Sequence, residues 1–269
     1  MVTLLCTVRA CRQPLLREER RYVCARKHSF DIARSGYVNL LQPQDKKSLT
    51  PGDTREAAMS RRRFLERFWS AAAMPPLSVR ADALLDVGCG EGTYLNAFEA
   101  SEKHGLDIST PAIEAAAKKY KDALFVIANA DRFLPYADGS FDVVTSITAR
   151  MNPGEFHRVL KEDGKALIAL PAEDDLIELR ESILGEAKLI DRVQRTVDDF
   201  SSHFALERHE RIQHKLHLDR DAIQDVMTSS YRGLRTKQRE RLAALAEIDV
   251  TLSRDLLLFT SLPPPARQS

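Results

Sequence analysis

The feature that most constrains the fold is an alternation of short apolar runs with helical patterns, which begins at about residue 81. Five apolar runs bounded by turn residues predict strands, and helical segments lie between them. Crossovers of this length join parallel strands, so the alternation predicts an α/β protein with a doubly wound, mostly parallel sheet. The predicted strands are 83–88, 104–109, 123–130, 141–148 and 165–172.

Two helical patterns supply crossovers of this sheet, at 110–120 and at 154–163, the latter closed by Gly164. The last third of the chain adds two further strands with two helices between them, which brings the predicted sheet to seven strands. The tail 263–269 is predicted to fray. The predicted closing elements are strands 204–218 and 249–262, and helices 219–229 and 236–246.

A glycine-rich loop follows the first predicted strand. The stretch LLDVGCGEGTYL at 84–95 places Asp86 and three glycines between an apolar strand and a helix. Glycines let the backbone turn tightly and approach a ligand closely. Asp107 ends the next strand, twenty-one residues after Asp86, where a carboxylate can accept both hydroxyls of a ribose. This order predicts a nucleotide-type cofactor, with Cys89 a small residue that fills space between two glycines.

Three of the four cysteines lie near the N-terminus. Cys6-x4-Cys11, twelve residues, and then Cys24-x3-His28 give three sulfurs and one imidazole in two close pairs. Such a set matches a closed tetrahedral structural zinc site, and the alternative is three reduced core cysteines with an incidental histidine. A bound zinc ion would also stabilise the segment 1–45, which is too small to bury a core of its own.

Charge is distributed unevenly along the chain. Residues 1–80 carry a balance of +9, whereas the remainder carries −8. A basic N-terminal part indicates a polyanionic partner for that part, and an ordinary solvated surface is the alternative. The sequence has neither an apolar run of membrane-spanning length nor a signal peptide, so we expect a cytoplasmic protein with reduced thiols.

The segment 46–80 reads as a helical linker. A helix is predicted over 54–72, capped by Asp53 or Thr54, and the stretch MPPL at 74–77 is predicted to end it. Phe68 and Trp69 on this helix are interpreted as packing residues rather than base-stacking residues. Four late histidines, at irregular spacing in charged sequence, are interpreted as surface or satisfied side chains rather than a second metal site. They are His203, His209, His214 and His217.

The chain resembles the 23S ribosomal RNA (guanine-N1)-methyltransferase family from about residue 6 to 262. The resemblance rests on CRQPLLREERRYVCARKHSFDIARSGYVNLLQP, on PGDTREAAMSRRRFLERF and on the later stretch LHLDRDAIQDVMTSSYRGLR. That family joins a zinc-binding domain to a class I methyltransferase domain that uses S-adenosylmethionine. The resemblance implies a zinc-binding domain at 1–45, a linker at 46–80, a methyltransferase domain at 81–262 and a tail at 263–269.

The resemblance also implies a cofactor site. The G-x-G-x-G spacing is similar to motif I of class I methyltransferases and differs from the dinucleotide pattern, which leaves a nicotinamide-dependent oxidoreductase as the alternative. The stretch ANADRFLPYADGSFDVV at 128–144 resembles the loop that contacts the adenine. The implied cofactor residues are Asp86, Gly88, Gly90, Gly92, Asp107, Ile108, Asn129, Ala130, Asp131 and Thr148.

For the metal, the resemblance matches Cys11, Cys24 and His28 to family ligands. The family usually has a C-x2-C knuckle, which would put the first ligand at Val8, so here Cys6 would serve through a longer loop.

The implied partner is a hairpin of 23S ribosomal RNA, and the family also implies a homodimer. The backbone of the RNA would be held by basic residues of the N-terminal part; for the run at 61–63 a solvated helix face is the alternative. The expected RNA-binding residues are Arg26, Lys27, Arg34, Arg61, Arg62 and Arg63, together with Arg9 and Arg12.

One stretch departs from the family pattern. The family has an Ile-x-Ala-Pro-like segment after the fourth strand, whereas this chain reads SITARMNPGEF at 146–156. The target base and atom therefore stay open, as does the general base, for which Asp131 and Asn152 are candidates. Two other functions are consistent with the sequence: a methyltransferase acting on a small molecule with the zinc domain as a lid, and a non-catalytic RNA-binding protein.

Overall fold

A computed structural model of the chain describes residues 1–46, 48–72, 81–185, 188–230 and 235–263. The predicted linker break at 74–77 and most of the predicted tail lie outside these ranges.

Eight strands form the main sheet, and the five neighbouring pairs from β9 to β4 run parallel, as doubly wound folds require. The two long C-terminal strands pair antiparallel at the other edge. In spatial order the strands are β10 (Phe204–Asp219), β11 (Glu247–Ser261), β9 (Leu160–Pro171), β8 (Phe141–Ile147), β5 (Ala81–Val87), β6 (Ala100–Asp107), β7 (Ala123–Ile127) and β4 (Val38–Asn39).

The predicted fold class is confirmed, but the sheet has one strand more than expected. The eighth strand, β4, comes from the N-terminal segment and pairs with β7 through Val38 and Val126. Val38 and Leu40 are fully buried beside it. Burial of these side chains extends the sheet with two residues that carry no strand pattern of their own.

Helices cover the faces of the sheet, and three of those described begin at a short polar residue whose side chain caps them. Thr54 accepts a hydrogen bond from the Ala57 amide, and Ser109 accepts one from the Ala112 amide. The helices are α1 (Arg55–Arg67), α2 (Trp69–Ala72), α3 (Thr93–Ala97), α4 (Thr110–Lys119), α5 (Pro153–Val159), α6 (Ile177–Leu184), α7 (Val193–Phe200), α8 (Arg220–Ser230) and α9 (Thr236–Ala244).

The predicted helix over 154–163 was too long at its C-terminal end. It ends at Val159, and Leu160 already pairs with Phe141 as the first residue of β9. Leu160 is 4% exposed, so its burial in the sheet outweighs the helical preference of the charged residues that follow.

The N-terminal segment is a small antiparallel sheet that packs against the large one. Its strands are β1 (Leu15–Arg17), β2 (Arg21–Cys24) and β3 (Ser29–Asp31), and a short 3-10 helix follows at Pro43–Asp45. One cluster of buried side chains runs continuously from Leu4 and Leu15 to Leu85 and Tyr136 of the large domain. The small sheet is therefore anchored by apolar contact as well as by its cysteines.

Among the described residues, no helix combines the length and apolar character needed to cross a membrane.

Candidate functional site

Four side chains of the N-terminal sheet converge on one point. The ligand atoms of Cys6, Cys11, Cys24 and His28 all lie within 4.8 Å of one another. The Cys11 and Cys24 sulfurs are 3.8 Å apart, and His28 Nδ1 lies 3.3 Å from Cys6 Sγ and 3.5 Å from Cys24 Sγ. Zinc bonds of about 2.3 Å to sulfur and about 2.0 Å to nitrogen give tetrahedral edges of about 3.8 Å and about 3.5 Å. The donor set thus fits zinc in both chemistry and size.

Two tight turns bring these ligands together. In the first, Cys6 rather than Val8 lies with the other ligands, and the Cys11 amide donates to the Val8 carbonyl across the longer loop. In the second, the Lys27 amide donates to the Cys24 carbonyl and Lys27 has a φ of 65°. Burial raises the pKa of the Cys6 thiol, and a bound zinc ion would hold this ligand as a thiolate.

A cavity of about 490 Å³ opens where β5, β6 and β8 end. This is the point at which strand order reverses, because β6 lies on one side of β5 and β8 on the other. Ligands of doubly wound folds bind at such a switch point. Nine of the ten predicted cofactor residues line the cavity; Gly92 alone does not, and it forms the N-cap of α3 instead.

The glycine loop forms one wall of the cavity. Gly88, Gly90 and Gly92 have φ of 79°, 54° and 81°, in the left-handed region that glycine adopts without strain. At Gly88 a Cβ atom would lie 2.3 Å from Ala149 Cβ, so any larger residue would force the two loops apart. The G-x-G-x-G spacing is therefore a requirement of the backbone path.

Two carboxylates face the cavity, one of them buried and the other half-buried. Asp86 is 1% exposed and accepts a hydrogen bond of 2.8 Å from the Thr145 hydroxyl. Burial raises the pKa of Asp86 to about 7. Asp107 accepts from the amides of Gly90 (3.0 Å) and Ser109 (2.7 Å), while burial raises its pKa. These bonds fix the Asp107 carboxylate at the mouth of the glycine loop.

The loops after β7 and β8 contribute Asn129, Ala130, Asp131 and Thr148 to the lining of the cavity. Asn129 is held on both sides, since its amide nitrogen donates to the Asp45 carbonyl and its oxygen accepts from the Asp131 amide. Thr148 has a φ of 52°, a conformation that costs about 1 kcal/mol in a non-glycine residue. Asp131 lies 3.8 Å from the guanidinium of Arg150, which also lines the cavity.

Arg61 lies in this cavity rather than on a separate basic face. Its guanidinium pairs with Asp53 and lies 3.5 Å from the carboxylate of Glu91, which is 2% exposed. Burial raises the pKa of Glu91. Arg61 thereby ties α1 to the glycine loop. The sequence did not predict this role. The available signal was Glu91, an acidic residue inside the glycine motif, because a buried carboxylate requires a cationic partner.

The other predicted RNA-binding residues fall into two groups. Arg62 pairs with Glu66 and Arg63 with Asp225. Every arginine of the run at 61–63 therefore forms an ion pair with a carboxylate of the protein itself. Arg26, Lys27 and Arg34 are exposed on the N-terminal sheet and its following turn, with no carboxylate partner in the described part of the chain.

The remaining sequence interpretations concern packing. The Trp69 ring lies 5.7 Å from that of Tyr94, and the Phe68 ring 5.0 Å from that of Phe64.

The late histidines and Cys89 belong to no second metal site among the residues that the structure describes. His209 and His217 bond to Asp255 and Asp249. Within the described ranges, the N-terminal set of three cysteines and a histidine is the sole cluster of three or more potential metal ligands. Cys89 is buried against the cavity, and burial raises its pKa, which makes it an inert thiol.

Comparison with known proteins gives two family matches. A zinc-ribbon family described as "RlmA, N-terminal" matches residues 5–49, and a family described as "Methyltransferase domain" matches residues 85–168. The solved structures of YcgJ from Bacillus subtilis and of a Haloferax volcanii complex of the Trm112 methyltransferase activator with a methyltransferase share the fold. Their TM-scores are both 0.51, at 17% and 20% identity, and they cover 76% and 79% of this chain, and 100% and 99% of their own.

Two relatives match nearly the whole chain. A Streptomyces fradiae protein, named 23S rRNA (guanine(748)-N(1))-methyltransferase, is 31% identical over 94% of this chain and 95% of its own length. A Bacillus subtilis protein, YxjB, assigned provisionally to 23S rRNA (guanine-N(1)-)-methyltransferase activity, is 32% identical over 87% of this chain and 88% of its own.

The fold and the cavity define a class I methyltransferase that uses S-adenosylmethionine, with a structural zinc site in its N-terminal part. Within that class, the chain belongs to the family of 23S ribosomal RNA (guanine-N1)-methyltransferases. The nicotinamide-dependent alternative is thereby excluded.

Proposed function

We propose that this protein transfers a methyl group from S-adenosylmethionine to N1 of a guanine in 23S ribosomal RNA. The observation that carries the proposal is the pairing of a zinc-type cluster with a methyltransferase cavity in one chain, over nearly the full length shared with the Streptomyces fradiae enzyme. The domain division at 1–45, 46–80 and 81–262 follows the same reasoning, with the qualification that β4 from the first part extends the sheet of the last.

The cavity suits a cationic cofactor because carboxylates outnumber cations on its walls. S-adenosylmethionine, when bound, supplies an electrophilic methyl group on a positively charged sulfur. Asp107 would accept the ribose hydroxyls, and Asn129, Ala130 and Asp131 would contact the adenine. The acidic side chains on the walls are Asp53, Asp86, Glu91, Asp107 and Asp131, against Arg61 and Arg150.

Transfer to N1 requires that the N1 proton leave as the new N–CH3 bond forms and the S–CH3 bond breaks. Of the two candidate bases, Asn152 caps α5 and donates to the Ala130 carbonyl, and an amide does not accept a proton at neutral pH. Asp131 lines the cavity and has 30% of its side chain exposed. Because Asp131 contacts the adenine in this arrangement, neither candidate takes the N1 proton, and alignment of the two reactants supplies most of the rate.

The RNA would reach the cavity across the zinc-binding part. Arg26, Lys27 and Arg34 are the exposed basic residues there, and contacts to phosphates would hold the strand while the guanine leaves its stack. A hairpin substrate, a homodimer and a cytoplasmic location belong to the same proposal, since they follow from the ribosomal RNA substrate and the family.

Transfer of a labelled methyl group tests the proposal against its two rivals. The protein is incubated with labelled cofactor and either unmodified 23S ribosomal RNA or a small-metabolite extract. The proposal predicts label in the RNA alone. Label confined to the extract would favour a small-molecule methyltransferase, whereas RNA binding without any transfer would favour a non-catalytic RNA-binding protein.

A further inference from the structure

A second cavity, of about 410 Å³, lies between the zinc-type cluster and the methyltransferase sheet. One wall is the loop between the ligands Cys6 and Cys11. The other wall is the turn after β7, which includes Arg132 and Phe133. The cavity therefore exists only because the two parts of the molecule pack together.

The second cavity is basic, in contrast to the acidic cofactor cavity. Three arginines line it, Arg9, Arg12 and Arg132, and Asp45 is the one carboxylate among its lining residues. All three arginines are exposed, and none pairs with a carboxylate in the ranges that the structure describes. Unpaired guanidinium groups around a concavity match a phosphate-bearing ligand in charge and in geometry.

An aromatic ring provides a stacking surface in the same place. The Arg12 guanidinium lies 4.6 Å from the centre of the Phe133 ring, and that of Arg158 lies 4.8 Å from it. Phe133 is half-buried, so the ring is fixed in place yet still reaches the cavity. Both guanidinium groups lie over the ring, and a guanidinium plane layered on an aromatic ring is itself a surface on which proteins stack unpaired bases.

The two cavities meet at a shared wall. Ala128 and Asn129 line both of them. Because Asn129 is bonded to Asp45 on one side and to Asp131 on the other, the shared wall is rigid. A nucleic acid strand that places its target base in the cofactor cavity would therefore bring a neighbouring nucleotide to the second cavity.

The long metal-binding loop builds the outer wall. The common C-x2-C knuckle leaves two residues between the cysteines, whereas this chain has four, and all four line the cavity. Ala10 and Arg12, on either side of Cys11, have φ of 60° and 47°. Such strain persists only where the surroundings hold it, and here zinc ligation through Cys6 and Cys11 would do so.

We propose that the second cavity binds the nucleotide adjacent to the target guanine. Arg9 and Arg132 contact its phosphate, and its base stacks on the Arg12–Phe133 surface. The lengthened metal-binding loop thus contacts single-stranded RNA and contributes to its recognition. This inference rests on the proposed function, and it adds Arg132 and Phe133 of the methyltransferase domain to Arg9 and Arg12, which the basic N-terminal charge already indicates.

The test measures RNA affinity and methyl transfer for Arg9→Ala, Arg132→Ala and the double variant, with an unmodified transcript of 23S ribosomal RNA as the probe. Each single change should weaken RNA binding about five- to tenfold and lower the slope of log affinity against log salt by about 0.7 per lost phosphate contact. Phe133→Leu should weaken binding about tenfold through lost stacking, with little change in that slope.

Arg20→Ala is the matched control, because Arg20 is an exposed arginine of the same N-terminal sheet region that does not line the cavity. It should leave RNA affinity unchanged within about twofold. Cofactor affinity and zinc content, measured on every variant, should equal those of the wild type and so exclude misfolding.

Wild-type RNA affinity and salt slope in the double variant would overturn the inference while leaving the proposed function intact. Failure of the wild-type protein itself to methylate the RNA would instead overturn the proposed function.

Discussion

The metal centre and the cofactor cavity are built on opposite principles. At the metal centre the backbone only brings ligands together, and four side chains converge to within 4.8 Å. In the cofactor cavity the backbone itself is the binding surface, with Gly88 and Gly90 at positive φ and the Asp107 carboxylate accepting a hydrogen bond from the Gly90 amide. A change of one side chain should therefore remove the metal outright, whereas the cavity should lose affinity in steps.

Loss of the metal should have the largest effect. Cys24→Ser is expected to abolish zinc binding, because it removes one of the four ligands. The loss is large, since metal binding in such sites contributes about 10–16 kcal/mol in isolated peptides. The N-terminal sheet should lose order, and RNA methylation should fall more than about 100-fold, while cofactor affinity falls less than about tenfold because the glycine loop remains. Zinc content by mass spectrometry, RNA transfer rates and cofactor titration measure the three outcomes.

The control for this variant is Cys89→Ser, which removes a buried thiol outside the metal centre and should keep one zinc per chain. Retention of zinc and of full RNA transfer by Cys24→Ser would show that the cluster is only a packing feature.

Arg61→Ala should be the most damaging single change in the cofactor region. It leaves the buried carboxylate of Glu91 unpaired, and breaking such a pair costs about 3 kcal/mol. The matched control is Arg67→Ala on the same helix, whose pair with Asp219 is about half exposed on both sides and contributes about 0–1 kcal/mol. Denaturant unfolding of both variants makes the comparison. Equal losses would mean that Arg61 does not tie α1 to the glycine loop.

Asp107→Ala should weaken cofactor binding about 10- to 100-fold, the range expected for hydrogen bonds to a charged group. Zinc content should not change, since no metal ligand touches Asp107. Asp82→Ala is the control, because Asp82 is an exposed acid on β5, the strand that ends at the cavity. Calorimetric titration with S-adenosylmethionine provides the measurement, and unchanged affinity in Asp107→Ala would contradict the placement of the ribose.

The smallest expected effect is the pH dependence of cofactor binding. With the pKa of Asp86 raised to about 7, the free protein holds this carboxyl mostly protonated at pH 6 and mostly ionised at pH 8. The ionised form attracts a cationic cofactor, so affinity should rise as much as about tenfold across this interval. Asp86→Asn should bind more weakly and show a flatter profile. Cofactor affinity that does not change with pH in the wild type would mean that the charge of Asp86 does not affect cofactor binding.

Stability should respond to the same group in the opposite direction. A carboxyl whose folded-state pKa is raised contributes stability below its unfolded pKa, near 3.8, and loses it as pH rises through about 7. Without cofactor, the wild-type melting temperature should therefore fall relative to that of Asp86→Asn between pH 4 and 7.

Much of this architecture could be predicted because its signals are local. The strands of the large sheet follow apolar runs, and the long pair β10 and β11 lies within two residues of the predicted bounds. β4 could not be predicted, because two residues carry no pattern and pair only through tertiary burial. The end of α5 failed for the same reason, since Leu160 is drawn into the sheet.

The two sites differ in predictability for a related physical reason. Metal ligands can be recognised from residue type and spacing, and Cys6 lies with the other three ligands despite the longer loop. The place of Arg61 depends on partners that are distant in sequence, Glu91 and Asp53, and on how α1 packs over the glycine loop. A run of three arginines in the sequence does not indicate which side chain enters the cofactor cavity.

The most direct test of the central claim is to locate the methyl group on RNA modified by the purified protein. Reverse transcription of modified 23S ribosomal RNA should stop at one guanine, because a methyl group on N1 blocks base pairing. Nucleoside analysis of the same RNA should give 1-methylguanosine, and the Cys24→Ser variant should give neither signal. A methyl group on another atom or base, or a stop that persists in Cys24→Ser, would contradict the account.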